Sequence, residues 1–218
     1  MKSYIKKSVR LLTMFTIFWI AILFSVIAQA EVIVLPNASG MPNNVIQDIV
    51  KENPVDSKIT FYSWNTVSDL KSAPQPRAGW NYGDIKISTT AHDVALGNYF
   101  IISVAKGATI TLSKNWTKTV NTSVSLSSSN PDNVPIPTAG KLGIAASMTA
   151  EYSTSRRFSG PPESSVNNSR EYRVKFYGDS GTWSAIAEWS INPAARIPIS
   201  GTWKKPTSYA EYSVDSKQ

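Results

Sequence analysis

Between Ala108 and Leu126 apolar and polar positions alternate along the chain. The odd positions, Thr109, Thr111, Ser113, Asn115, Thr117, Thr119, Asn121, Ser123 and Ser125, are all small, neutral and polar. The even positions carry Ala108, Ile110, Leu112, Trp116, Val120, Val124 and Leu126, with Lys114, Lys118 and Thr122 interspersed. Side chains of a strand point alternately to its two faces, so this period predicts one apolar face and one Ser/Thr/Asn face. Residues 142–153 repeat the pattern. Leu142, Ile144, Ala146, Met148, Ala150 and Tyr152 lie on one face, and Gly143, Ala145, Ser147, Thr149, Glu151 and Ser153 on the other. Ser127 to Lys141 is a connection rich in Ser, Asn and Pro. Two matched strands joined by a polar loop predict an antiparallel hairpin, with Ser113-Lys114-Asn115 as a possible break in the first strand. Ile110, Leu112, Trp116, Val120, Val124, Ile144 and Met148 are its candidate apolar face.

Elsewhere the pattern predicts one helix and many strands. Val45, Ile46, Ile49 and Val50 form a helical stripe over 44–52, with Asn44 as its cap and Gln47 three residues on. Asn53-Pro54 ends it. From Ile59 to Trp64 the period changes to two. A loop with Pro74, Pro76 and Gly79 separates that strand from two more, Asp84–Thr89 and Asn98–Ala105. The second of these is apolar on both faces, which predicts a central position. Residues 170–177 read as a further strand, and short aromatic strands follow around Trp183–Trp189, Trp203 and Tyr209–Val214. Gly181-Thr182-Trp183 and Gly201-Thr202-Trp203 share a tripeptide, but two copies do not define a repeat architecture. The expected fold is mainly β: an antiparallel sandwich or elongated β-domain with a long amphipathic hairpin and one short N-terminal helix.

The alternating stretches, Ala108–Leu126 and Leu142–Ser153, resemble the Ser/Thr-rich hairpin of aerolysin-type β-pore-forming proteins. The resemblance covers about fifty residues and is one of composition pattern. It implies a hairpin carried on a soluble, elongated β-domain that inserts into a bilayer after oligomerisation. A lipid-crossing strand needs about 9–11 residues, apolar toward lipid and polar toward water. Lys114 and Lys118 stand on the face that would meet lipid, where a midplane Lys costs about 2–4 kcal/mol. The same alternation also describes a long twisted hairpin with one face on a protein core and the other in water.

The first thirty residues have the composition of a secretory leader. Lys2, Lys6, Lys7 and Arg10 precede an apolar run, Leu11 to Ile27, and Ala28-Gln29-Ala30 supplies the small-x-small pattern of a cleavage site. The expected organisation is therefore a signal peptide over 1–30, an N-terminal segment with a short helix over 31–57 and a β-domain over 58–218. Four of the 22 basic residues and none of the 15 acidic ones lie in the leader, so the remaining 188 residues carry a net charge of +3. That balance lacks the dense basic stripe of a nucleic-acid binder. Arg156, Arg157, Arg170, Arg173, Lys175, Lys204 and Lys205 read as a modest, solvated basic face. The chain contains no cysteine, which excludes disulfides, thiolate metal sites and Cys nucleophiles.

The residues offer little catalytic chemistry. His92 is the single histidine, followed directly by Asp93, and no Gly-x-Ser-x-Gly turn accompanies it. Glu151, Asp179 and Glu188 are the carboxylates that a glycoside hydrolase would need to bring together in pairs. No metal site or cofactor is expected. Trp64, Trp80, Trp183, Trp189 and Trp203 are candidate surface aromatics, able to stack on sugar rings or to sit at a membrane interface. The expected function is that of a secreted, non-catalytic β-protein binding or building an extracellular surface, with cell-wall glycan or a membrane as partner. A membrane-active β-pore-forming protein, which alone requires oligomerisation, is the alternative, and an extracellular hydrolase a further one. Cleavage after Ala30 predicts that intact-mass measurement of secreted protein finds Glu31 at the N-terminus; an intact chain held in the membrane would show the leader to be an anchor.

Overall fold

The computed structural model describes residues 30–66, 80–131, 134–189 and 192–217. The leader and the loop holding Pro74, Pro76 and Gly79 lie outside the described residues. The elements are β1 (Glu31–Val34), a 3-10 turn (Pro36–Ala38), α1 (Asn43–Lys51), β2 (Lys58–Thr66), β3 (Trp80–Ala105), β4 (Thr109–Thr111), β5 (Trp116–Asn121), β6 (Ser123–Leu126), β7 (Ser147–Tyr152), β8 (Arg157–Ser159), β9 (Ser169–Trp189) and β10 (Asn192–Ser216). The fold is mainly β with one short helix.

Three very long strands form the frame. β3, β9 and β10 are 26, 21 and 25 residues long and run antiparallel with β9 in the middle. At about 3.3 Å per residue β9 spans roughly 70 Å. β9 is regular, and the extra residues fall on its neighbours. β10 bulges at Thr207, and β3 shifts register between Gly83 and Lys86, between Thr89 and Val94, and again near Gly97 and Ile101. Asp84 and Asp93 take positive φ at two of these points. The segments 84–89 and 98–105 are therefore one continuous strand, because bulges absorb the residues that break the period. The strand expected to be central is instead at the sheet edge. Its two-sided apolar pattern comes from the bulge near Ile101, which brings Tyr99, Ile101, Ile102 and Val104 into one cluster while Phe100 stays exposed opposite Arg173.

Past β10 the sheet changes neighbour half-way along. β2 pairs with Ser208–Asp215, with β1 parallel beside it, whereas β6 pairs with Gly201–Lys204. The register and alternation along β9 define two faces. On the face of Tyr177, α1 packs Val45 and Ile49 against Ile59, Phe61, Tyr212 and Val214. On the opposite face of the same half, Tyr172, Val174 and Phe176 are covered by Met148, Ala150, Tyr152 and Phe158. In the other half, Trp183, Ala185, Ala187, Ile199 and Trp203 are covered by Val134, Leu142 and Ile144.

The repeated tripeptide has a structural meaning. Gly201 pairs with Trp183 and Trp203 with Gly181, so the two Gly-Thr-Trp units lie antiparallel on each other. Each indole occupies the space over the opposite glycine: a Cβ at Gly181 would sit 2.8 Å from the Trp203 ring, and one at Gly201 2.8 Å from Trp183 Nε1.

The helix is held by charge as well as by its apolar stripe. α1 starts after Pro42 with no side-chain cap; Asn44 lies inside it and donates to Asp93 instead. Lys175, its side chain 2 % exposed, places Nζ 2.6 Å from Asp48 and 2.7 Å from Glu52. Tyr177 Oη donates to Asp48 at 2.9 Å. Partial burial works against the Asp48 charge, but Lys175 and Tyr177 outweigh it and hold the carboxyl below its ordinary 3.8. A carboxyl with a lowered folded pKa contributes stability in full above its unfolded value and loses it as the pH falls through the folded one. We therefore expect helix docking to weaken only below about pH 4. Asp48→Asn with Glu52→Gln, which strands the buried ammonium, should lower stability by about 3 kcal/mol in urea unfolding, whereas Lys175→Met should cost far less.

Candidate functional site

The described residues of 106–168, between β3 and β9, form an insert that lies mostly on the sheet and joins it only through β6. Its pairing departs from the single long hairpin that the alternation predicts. Only Trp116–Asn121 and Ser147–Tyr152 pair with each other, with Val120 opposite Met148. Thr109–Thr111 pairs with Arg157–Ser159, and Ser123–Leu126 leaves to join the edge of β10. The breaks have local causes. Residues 112–115 bend, as the Ser-Lys-Asn sequence allows. Thr122 turns its hydroxyl onto the backbone of Ile144 and Ala146 and accepts from the Ala146 N–H, replacing ladder bonds where the chain crosses the sheet edge.

The β5–β7 ribbon keeps the predicted faces. Thr117, Thr119, Asn121, Ser147, Thr149 and Glu151 are exposed, and Thr119 and Thr149 bond hydroxyl to hydroxyl at 2.8 Å. Met148, Ala150 and Tyr152 are buried against the sheet, and Trp116 and Val120 are half-buried beside them. Trp116 also donates to the Phe100 carbonyl. Lys118 lies on this inner face with its ammonium 4.2 Å from the Tyr99 ring centre, whereas Lys114 is exposed. Leu112 is half-buried in the same cluster, and Ile110 is largely exposed on β4. Val124 and Ile144 are half-buried in the other half of the sheet, with Trp183 and Trp203. Six of the seven candidate face residues are thus distributed over two clusters on opposite faces, and Ile110 belongs to neither.

Charged contacts pin the insert. Arg156, just past β7, ion-pairs with Glu211 of β10, whose side chain is 8 % exposed, and its guanidinium covers the rings of Tyr152 and Phe158 at 4.5 and 5.2 Å. Arg170 grips the buried Asp215 with two bonds, 2.5 and 2.8 Å, and donates to the Ser159 carbonyl, which Tyr172 also holds. The predicted basic face is therefore not a solvated patch as a whole: Arg156, Arg170, Arg173 and Lys175 are each committed to carboxylates. Glu211 and Asp215 lie 55 and 45 residues from their arginines, a separation that gives no local sequence signal. Burial pushes the phenols of Tyr62 and Tyr212, on opposite faces of the sheet, up to about 12.

The tryptophans separate into two groups. Trp183 and Trp203 are 2 % and 4 % exposed and belong to the core, correcting their reading as surface aromatics; their N–H groups donate to Ser125 and Thr182 carbonyls. Trp64 is half-buried against Tyr177. Trp80 and Trp189 face each other edge to face at 5.1 Å at the far end of β3 and β9, and Trp189 is 36 % exposed.

The candidate catalytic groups are not assembled. His92, within β3 rather than beside a strand, bonds Asp179 through Nδ1 at 2.7 Å on the surface, and no hydroxyl completes a triad among the described residues. Asp179 and Glu188 sit nine residues apart on one straight strand, roughly 30 Å, too far to act on one glycosidic bond. Glu151 is exposed on the ribbon. No group of His, Asp and Glu able to hold a metal ion occurs among the described residues.

Fold and insert together define a class: an elongated, mainly antiparallel β-protein with an amphipathic ribbon laid on its sheet. No protein-family model, no curated protein and no solved structure matches the chain. The ribbon's two faces are separable by mutation. Met148→Lys, which buries a charge without a partner, should lower stability by about 3 kcal/mol or more in denaturant unfolding. Thr149→Lys, one position away on the wet face, should change it by less than about 0.5 kcal/mol.

Proposed function

We propose that this is a secreted, non-catalytic protein that acts at an extracellular surface, that the surface is a lipid bilayer, and that the insert is the part that engages it. The observation that carries the reading is the β5–β7 ribbon. It is a two-stranded unit outside the main sheet, apolar toward the protein and Ser/Thr toward water. A ribbon of this kind exchanges a protein core for lipid on the same face without reversing its polarity. As folded, its strands are six residues long. Residues 116–126 and 142–152 each supply 11 once the Thr122 crossing straightens, matching the roughly 9–11 a membrane strand needs. Lys118, now over Tyr99, is the main charge opposed to transfer. The reading agrees with the resemblance to β-pore-forming proteins.

A second reading, glycan or other surface binding without insertion, is supported by the bare face of the far half-sheet. There two adjoining depressions are lined by Lys86, Ser88, Thr182, Ser184 and Thr202 and by Ile85, Ile186 and Pro198.

A reversible staple separates the two readings. Ser125 of β6 is directly opposite Thr202 of β10, and such partners lie within the Cα separation a disulfide accepts. In a cysteine-free chain, Ser125→Cys with Thr202→Cys forms one defined crosslink. Dye release from lipid vesicles should be abolished in the oxidised variant and recovered on reduction. Release that ignores the crosslink would overturn the insert as the part that engages the bilayer, and wild-type protein that never releases dye across lipid types would overturn the membrane reading and leave the surface-binding one.

A further inference from the structure

We infer that the end of the sheet carrying Trp80 and Trp189 is a separate docking site for the headgroup–acyl boundary of a bilayer, distinct from the insert. The inference rests on the reading that the protein acts on membranes, but it assigns the first contact to different residues. Register fixes the place: Trp80 pairs with Trp189, and Trp189 with Asn192, so both indoles sit where the three long strands end. The opposite end, where Ser169 pairs with Ala105 and Ser216, is twenty residues away along β9, roughly 65 Å.

Four observations point to a lipid interface. Trp189 is 36 % exposed, and its ring is held edge to face by Trp80, so exposure does not come with a loose side chain. Second, Trp116, Trp183 and Trp203 each donate the indole N–H to a backbone carbonyl, whereas Trp80 and Trp189, like the half-buried Trp64, donate to no group among the described residues. An indole combines an apolar body with an N–H donor and suits the depth at which lipid carbonyls meet hydrocarbon, where Trp is enriched in membrane proteins.

Third, Tyr82 bonds the Pro135 carbonyl at 2.8 Å, which brings Ile136, 51 % exposed, to the same end. Fourth, Lys141 lies at this end, its ammonium bonded to the Trp80 carbonyl and 5.0 Å from the Tyr82 ring centre, and Arg196 is more than half exposed. Asp84 and Glu188 both pair with Arg196, so the local charge does not repel phosphate headgroups. A glycan would stack on a flat, open ring face. Here the rings meet edge to face, and that arrangement favours the lipid interface over sugar.

The test uses the full secreted protein with vesicles of phosphatidylcholine, alone and with phosphatidylglycerol. Co-sedimentation should show binding, and lipids brominated near the glycerol should quench part of the Trp fluorescence. Trp189→Ser should lower partitioning roughly tenfold, equivalent to about 1.4 kcal/mol, and remove most of the quenching. Trp189→Tyr, which retains an amphipathic ring, should recover much of the binding. Trp189 is the exposed member of the pair, so Trp189→Ser is expected to fold, as thermal unfolding would confirm. The oxidised Ser125→Cys, Thr202→Cys protein should still bind while releasing no dye, which separates docking from insertion. Undiminished binding of Trp189→Ser and of Trp80→Ser with Trp189→Ser would overturn the docking site and leave the insert reading intact. Binding that needs Trp189 but is never followed by dye release would support the docking site and overturn the insert. Protein that ignores vesicles but is retained on polysaccharide through Trp189 would assign the end to glycan and overturn the lipid inference.

Discussion

A sheet framed on three strands, each more than twenty residues long, has two faces and no interior, and this constraint governs the rest of the structure. β9 carries the continuous ladder on both of its edges, and its neighbours take up the extra residues at bulges. No single layer covers such a length, so three clusters cover it in pieces. α1 lies on one face of the near half and the β5–β7 ribbon on the opposite face. The 134–144 segment covers the helix-side face of the far half. The remaining quarter, rich in Ser, Thr and Lys, is left to solvent. Apolar residues are therefore shared out among covers rather than collected in one core.

Two of the three covers are tied down by charges that the sheet buries. Lys175 holds the helix through Asp48 and Glu52, Glu211 holds the insert through Arg156, and Asp215 holds the approach to β9 through Arg170. A buried ion pair adds little net stability compared with good apolar packing, but breaking one by removing a single partner is costly. Such pairs fix where a cover sits more than how firmly. For the insert this matters, since a ribbon with a uniform apolar face could slide by two residues on a flat sheet, whereas one Arg–Glu contact allows a single register.

The ribbon and the Trp end are different kinds of feature. The ribbon hides its apolar face and shows hydroxyls, so the proposed insertion would require its detachment from β3, β9 and β10. The Trp end is already exposed and requires no rearrangement. In the proposed order of events, contact through the Trp end precedes commitment of the ribbon, which keeps the apolar face covered in solution, where an exposed one would aggregate.

Alternation and breaker residues were enough to determine that the chain is mainly β with one helix near 44–52, and that 116–121 and 147–152, within the alternating stretches, carry one apolar and one polar face. Those are local properties, set by where a side chain points relative to its sequence neighbours. The sequence did not determine that two predicted strands fuse into β3, because bulges hide the period. Nor did it show that β6 abandons the hairpin for β10, because an edge strand's choice of partner depends on which strand has already ended. The Gly-Thr-Trp units looked unrelated until antiparallel pairing laid each indole over the other's glycine. Arg156 and Arg170 looked like solvated charges until folding brought carboxylates from 55 and 45 residues away. Which tryptophans are core and which remain free to meet a partner was likewise decided only by tertiary structure, since one residue type with one strand propensity fits both, and the neighbours that cover a ring come from distant parts of the chain.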